Sequence, residues 1–455
     1  MSMLLTIVAF IVALSVLIIV HEYGHYWVAR RCGVRVLRFS VGLGKPLWSR
    51  TWGADRTEWV IAAVPLGGYV KMLDERDGDV APHELDRAFN RKSVWQRFVI
   101  VLAGPVANFI AAIAVYWVLF VHGVPGLIPV LADPPAGSAA ARAGVMAGDT
   151  VTAVGGAAVR TWQDFRWVVL QRAVEGAPVI LEAKTGSGAV VRRELRFDGF
   201  DSRDLEGDVL AALGLMRVRT SLPPVIGELS AGAAAVRAGL RPGDLVLTVD
   251  GVRVETWEAL VAKIRAAPRQ ELQIRVRRGD VDIPALRVTP DAVVDRGAEI
   301  GRIGAAPRLD PEAMARMLTV VSYGPLESVV KAVAKTWETS VFSLRMLGKM
   351  VTGEISLRNL SGPITIADYA GQSAQNGWIS YLLFLALISI SLGVLNLLPV
   401  PLLDGGHLMY YAVEILTGKP VSERVMEVGQ QIGMVALFVL MACALYNDIN
   451  RLIGS

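Results

Sequence analysis

Four runs of apolar residues limit what this chain of 455 residues can become: Met3–Val20, Phe98–Val121, Ile379–Leu403 and about Val425–Tyr446. Each approaches the ~20 residues that cross ~30 Å of hydrocarbon. A bilayer offers no partner for backbone N–H and C=O groups, so only helices and closed barrels span it. Continuous runs of this length read as helices, the fourth being the weakest because Gln430 and Gln431 interrupt it. With 53% hydrophobic residues, the chain is too apolar for an ordinary soluble protein. No basic residue precedes the first run and no small-x-small site follows it, so it is expected to stay in the mature chain as a span.

Charge orients these spans. Net charge is only +4, and no nucleic-acid partner is expected. Arg30, Arg31, Arg35 and Arg38 follow the first run, and Arg91, Lys92 and Arg97 precede the second. No Lys or Arg lies between His122 and Ala141, or between Asn359 and Trp378. The excess of basic residues on cytoplasmic loops predicts 26–97 inside and 122–378 outside, with both termini outside and the Lys419/Arg424 loop inside. Cys32 and Cys443 then fall in a cytoplasmic loop and a span, where no disulfide joins them.

Directly after the first run stands His21-Glu22-Tyr23-Gly24-His25. On a helix, residues four apart project from one face. Two imidazoles at that spacing can share one Zn²⁺, and Glu22 between them can take a proton from a water that the metal acidifies. The bland alternative is two interfacial histidines and a solvated carboxylate. Ionisable groups at membrane depth are costly, however, and mark function by default.

The third run ends in Asn396-Leu-Leu-Pro399-Val-Pro401-Leu-Leu-Asp404-Gly405-Gly406. Two prolines unwind a helix, freeing carbonyls and the Asn396 amide for a ligand. Under the predicted topology the first and third runs both travel inward. His21, His25 and Asp404 therefore meet at one depth, and two His with one carboxylate form a zinc set with an open fourth position. His407 is a rival ligand that could instead face the headgroups.

Between the first two spans, Glu58–Met72 reads as β-rich, broken by Pro65 and Gly67-Gly68, while Gly42-Leu43-Gly44 adds flexible backbone upstream. An edge strand there could hold an extended peptide, or the segment is an ordinary cytoplasmic hairpin. In the second span Gly104-Pro105 predicts a kink and close helix contact, and Asn108 a bond across helices.

Outside the membrane the chain repeats itself. Ala143-Gly-Val-Met-Ala-Gly-Asp-Thr-Val151 recurs as Ala238-Gly-Leu-Arg-Pro-Gly-Asp-Leu-Val246, and Thr161-Trp162 as Thr256-Trp257, each at an offset of 95 residues (143 to 238, 161 to 256). Each copy continues through a helix-like stretch into β-rich segments, Val179–Ala183 and Leu272–Val276. The copies resemble PDZ domains, which implies peptide capture or a purely steric role, and a filter on substrate size is the expected function. From Asp310 to Gly353 the pattern turns helical and amphipathic, suited to the outer interface or to packing on the repeats.

Together these motifs resemble the site-two protease family of intramembrane zinc metalloproteases, over nearly the whole chain. The likeness rests on 21–25, Gly42-Leu43-Gly44, Pro65–Lys71, Gly104-Pro105 with Asn108, the tandem repeats, and Leu403-Asp404-Gly405 after Asn396. It implies that His21, His25 and Asp404 bind Zn²⁺, that Glu22 is the catalytic acid/base, and that Asn396, Pro399 and Pro401 engage the substrate helix. It further implies a multi-pass protein of the bacterial inner membrane with its repeats in the periplasm. The activity implied is cleavage of transmembrane segments of pre-trimmed proteins, such as anti-sigma factors in envelope stress signalling and signal-peptide remnants.

The expected architecture is a polytopic α-helical membrane protein with four transmembrane helices, a membrane-associated β-hairpin and two extracytoplasmic PDZ domains. Its divisions are 1–121, the repeats 122–220 and 221–305, amphipathic helices over 306–378, and the last two spans over 379–455. The rival readings are a non-catalytic membrane scaffold and a zinc peptidase acting on soluble or lipidated chains at the cytoplasmic face.

Overall fold

The computed structural model describes residues 3–175, 178–196, 208–218, 222–295, 298–308, 317–356 and 361–454. Its chain divides into two compact units, one built from residues 1–124 and 320–450, the other mainly from 125–200 and 207–319.

Among the described residues, four helices of the first unit are long and apolar enough to cross a membrane. Helix α1 spans Met3–Arg31, eleven residues beyond the apolar run and straight through the His-Glu stretch. No breaker intervenes until Gly33, whose φ of +71° ends the helix. The next two elements, β1 (Val36–Trp52) and β2 (Thr57–Met72), pair antiparallel in a doubled register. Residues 36–41 pair with 68–72 on one side and with 58–61 on the other, while 48–52 pair again with 57–61. Two long strands thereby make a ribbon of four ladder segments, with 68–72 at one edge. Gly42 and Gly44, at φ +92° and +87°, supply the backbone freedom for the fold-over. A Cβ on Gly42 would meet the Val64 carbonyl at 2.9 Å.

Helix α2 (Val94–His122) starts at a capping box formed by Ser93 and Gln96 and carries Pro105 inside it. It packs closely on α1, where a Cβ on Gly24 would lie 2.3 Å from the Ala103 carbonyl oxygen. Small residues permit this approach where no hydrophobic effect drives helices together.

In the second unit, β3 (Val124–Leu127) leads into the repeats. The first contains β4 (Thr150–Val154), β5 (Ala157–Ala158), α3 (Trp162–Glu175), β6 (Val179–Lys184) and β7 (Val190–Leu195), in sheet order β5-β4-β6-β7. The second contains β8 (Leu245–Val249), β9 (Val252–Arg253), α4 (Trp257–Arg265), β10 (Leu272–Arg278) and β11 (Val281–Val288), in the matching order β9-β8-β10-β11. The recurring Gly-Asp explains itself structurally. Asp149 and Asp244 are buried, and their carboxylates accept from Met146 N–H (3.1 Å) and Arg241 N–H (2.9 Å), three residues upstream. Burial pushes the Asp244 carboxyl up, but the Arg278 guanidinium outweighs it and holds the group below the usual carboxylate range.

Strand β12 (Leu318–Val321) pairs with β3, and α5 (Pro325–Val351) follows. The sequence placed this helix on the interface or against the repeats. Its Ala332 clusters with Ala112, Tyr116 and Leu119 of α2 and with Ala386 and Ile390 of the third span. Residues 309–316 of the expected amphipathic stretch lie outside the described residues. Helix α6 (Pro363–Gln375) packs Ala370 against Ala9 and Ala13 of α1.

The third span, α7 (Trp378–Leu397), stops six residues short of the predicted Leu403. A residue before proline is pushed out of helical φ/ψ, and Leu398, before Pro399, is extended. After a break over 398–403, α8 (Asp404–Thr417) begins at the carboxylate itself, and α9 (Glu423–Gly454) closes the chain. Asp448 of α9 caps α6 from afar, accepting from Gly362 N–H (3.0 Å), Ile364 N–H (2.8 Å) and Thr365 N–H (3.1 Å). One carboxylate thus satisfies three donors that a helix start leaves open.

Candidate metal centre

Helical spacing on α1 turns His21 and His25 to the same side, where the first residue of α8 meets them. Asp404 Oδ2 lies 3.1 Å from His21 Nε2 and 3.5 Å from His25 Nε2, and the two Nε2 atoms are 3.2 Å apart. Both imidazoles are nearly buried, at 9% and 8% exposure. Asp404 Oδ2 is buried without a hydrogen bond of acceptable geometry. Three acceptors converge here with no proton to share. Donors on a tetrahedral zinc with bonds of about 2.0–2.1 Å stand roughly 3.3 Å apart, so the set fits that ion. Among the described residues this is the only group of three or more His, Cys, Asp or Glu placed to hold a metal. His407 is exposed and outside it.

What surrounds the imidazoles fixes their tautomers. His25 Nδ1 sits 2.9 Å from the Ile100 carbonyl and must donate to it, which leaves a lone pair on Nε2. The Asn108 side-chain amide lies 3.1 Å from His21 Nδ1, and Asn108 Oδ1 is buried without a partner. A 180° turn of the amide exchanges its oxygen and nitrogen. With Oδ1 facing His21 Nδ1–H, the orphaned oxygen gains a donor and His21 Nε2 also keeps its lone pair. Sequence reasoning gave Asn108 a bond across helices; the structure shows that the bond is made to a histidine of the cluster.

Room for the rings comes from Gly104, where a Cβ would stand 2.2 Å from His25 Nε2 and 2.8 Å from His21 Cε1. Gly104→Ala is therefore expected to lower metal affinity by about 100-fold or more, and Asn108→Ala by about 10–100-fold, read as metal content of the purified protein. Full metal content in Gly104→Ala would overturn this account of the ring positions.

Asp404 reaches the site from a strained turn. Leu402 has φ +95°, which costs about 1–3 kcal/mol in a non-glycine residue. A Cβ on Gly405 or Gly406 would lie 2.1 Å from the Leu398 carbonyl or 2.6 Å from that of Val400, so only glycines allow α8 to fold back on the break. Its far end is latched to α2, with Arg97 bonded to Glu414 at 2.7 Å and stacked over Tyr411 at 5.0 Å.

Glu22 is not one of the three converging donors. It is half-buried, with the Val70 backbone N–H beside it. A Cβ on Gly68 would lie 3.1 Å from Glu22 Cγ, so the 68–72 edge of the ribbon runs beside this carboxylate. Tyr26 on the next turn of α1 fastens the ribbon, with ring centroids 5.7 Å from Phe39 and 5.2 Å from Trp59.

Of the residues expected to engage substrate, Asn396 is half-buried on the last turn of α7 and Pro399 is exposed. Pro401 is instead packed under α9, where a Cβ on Gly433 would meet its carbonyl oxygen at 2.2 Å. That seat, like the Ile100 carbonyl and the Val70 N–H, was missed by residue-type reasoning.

The peptidase family M50 model matches residues 9–440. The regulator of sigma-E protease RseP of Escherichia coli (strain K12) is 44% identical over 456 residues, covering 99% of this chain and 100% of that protein. A relative named as a zinc metalloprotease in Ralstonia nicotianae is 44% identical over 464 residues, 99% of each chain. The Yersinia pestis protease RseP is 43% identical over 454 residues, 99% of this chain and 100% of that one. A match running almost end to end, over a site whose donors already converge, makes this chain a member of peptidase family M50.

Proposed function

We propose that this chain is a zinc metalloprotease that cuts peptide bonds inside transmembrane segments. The observation that carries the reading is the meeting of His21 and His25, on a helix long enough to span a bilayer, with Asp404 at the start of α8, beside Glu22. The E. coli relative's name ties it to sigma-E regulation. By that likeness, the substrates would be anti-sigma factors already trimmed on their outer side, and signal-peptide remnants. The protein would be multi-pass in the inner membrane, with termini and repeats in the periplasm and the catalytic groups near the cytoplasmic face. The repeats would be PDZ domains.

His21 Nε2, His25 Nε2 and Asp404 Oδ2 would hold Zn²⁺. Bound there, Zn²⁺ supplies Lewis acidity and lowers the pKa of water toward about 7. Glu22 takes the proton of the attacking water and delivers it to the leaving amine. The Val70 N–H beside it would help aim the carboxylate. A scissile bond inside a helix is shielded by helical hydrogen bonds, so the substrate must unwind first. The 68–72 edge beside Glu22 would compensate by pairing with the extended strand, and Asn396 and the Pro399–Pro401 break would add polar contacts.

The test is to map the cleavage site in a model transmembrane substrate co-reconstituted in vesicles, by mass spectrometry of the products. Cleavage within the apolar stretch is expected. Cuts confined to the flanking soluble segments would favour the rival peptidase acting at the membrane face.

A further inference from the structure

We propose that the cleft between the last turns of α1 and the β1–β2 turn holds the headgroup of an anionic phospholipid. Tyr23, Trp27, Arg30, Arg31, Trp52 and Trp59 line it. Its charge is uncompensated. Arg31 stacks over Trp27 at 4.8 Å and has no carboxylate within 4 Å among the described residues, whereas Arg30 is held by Asp55 at 3.3 Å and the Tyr26 hydroxyl at 3.1 Å. Lys45, Arg50 and Arg56 are exposed on the same ribbon, and Asp55 is the sole acid from 41 to 57. That one carboxylate is already shared by Arg30 and Arg87.

Depth and apolar character select a lipid over a soluble anion. At about 1.5 Å per residue, the 29 residues of α1 run about 43 Å, against about 30 Å of hydrocarbon. With Met3–Val20 in the hydrocarbon, Tyr23–Arg31 emerges at the level of the headgroups. Aromatic side chains concentrate at that level, and Trp27, Trp48, Leu47 and Trp52 are 48%, 50%, 73% and 74% exposed. The Arg31 guanidinium would meet the phosphate while Trp27 and Trp52 lie along the glycerol and upper acyl chains. A lipid so placed touches both α1, which carries His21, Glu22 and His25, and the ribbon whose edge runs beside Glu22.

This site rests on α1 crossing the membrane, which the proposed function also requires, but its test involves no proteolysis. Full-length protein in detergent is titrated with phosphatidylglycerol, phosphatidylcholine or soluble glycerol phosphate, and adducts are counted by native mass spectrometry. Phosphatidylglycerol should bind in preference to phosphatidylcholine. Arg31→Gln, which strands no carboxylate, should weaken phosphatidylglycerol about five-fold and leave phosphatidylcholine unchanged, with Arg31→Lys restoring most of the loss. Equal binding of the two lipids, indifference to Arg31→Gln, or displacement by glycerol phosphate at matched concentration would each overturn the assignment. Cleavage retained alongside any of these results removes the lipid site alone, whereas failure of the protein to enter vesicles would remove the membrane reading itself.

Discussion

Glu22→Gln should purify with a full complement of zinc and cleave at least about 10²–10⁴ times more slowly than the wild type. His21→Ala, His25→Ala and Asp404→Ala should each lose both zinc and activity. The difference follows from geometry. The three donors lie within 4.8 Å of one another, and Glu22 is not among them. Removing a donor leaves two ligands for an ion that needs three protein ligands to stay bound in a catalytic site. Removing the Glu22 carboxylate takes away a proton acceptor and leaves coordination intact, because glutamine preserves the shape of the side chain. Elemental analysis of the purified variants, set beside their cleavage rates, separates the two classes. Stoichiometric zinc in Asp404→Ala would refute the three-ligand set, and loss of zinc in Glu22→Gln would make Glu22 a ligand.

Much of this site could be read from residue order because its information is local or topological. The i, i+4 spacing of His21 and His25 needs only a helix. Asp404 followed from the direction of two spans, and the structure brings it within 3.1 Å of His21. The repeats were legible because 95 residues separate equivalent glycines and tryptophans, and the two sheets share one strand order.

What escaped was set by the backbone. Counting apolar residues carried the third span to Leu403, although Pro399 ends it at Leu397, and it stopped the first at Val20, although nothing breaks that helix before Gly33. The doubled pairing of residues 36–41 requires knowing that Gly42 and Gly44 take positive φ, which composition does not state. His25 is oriented by the Ile100 carbonyl, and Glu22 lies beside the Val70 N–H. Any residue could supply the carbonyl and any but proline the N–H, so no residue type announces them. The packing of helix α5 escaped for a related reason. Its buried face holds Ser328, Ala332, Thr336 and Thr339, small and weakly polar residues that suit close helix packing yet read as a solvated side when hydrophobicity alone is scored.

Removing the repeats should widen the substrate range and leave the metal centre assembled. His21, Glu22, His25, Asn108 and Asp404 all belong to the unit built from 1–124 and 320–450, and the repeats belong to the other. The chain leaves and re-enters the first unit at adjoining points, since a Cβ on Gly123 would stand 2.7 Å from Val320 Cγ1. A short linker in place of 128–317 can therefore close that unit without pulling its helices apart. If the repeats exclude substrates with bulky outer domains, the shortened protein should cut untrimmed substrate at a rate approaching that of trimmed substrate and still hold zinc. Such a filter works by a clash with the wrong partner, not by a better fit to the right one. Recruitment through PDZ-like capture of a new C-terminus predicts the reverse: slower cleavage of trimmed substrate and no gain on untrimmed. Zinc content decides whether a negative result is informative. A shortened protein that binds zinc, cuts trimmed substrate and still spares the untrimmed form would show that the repeats are not the gate.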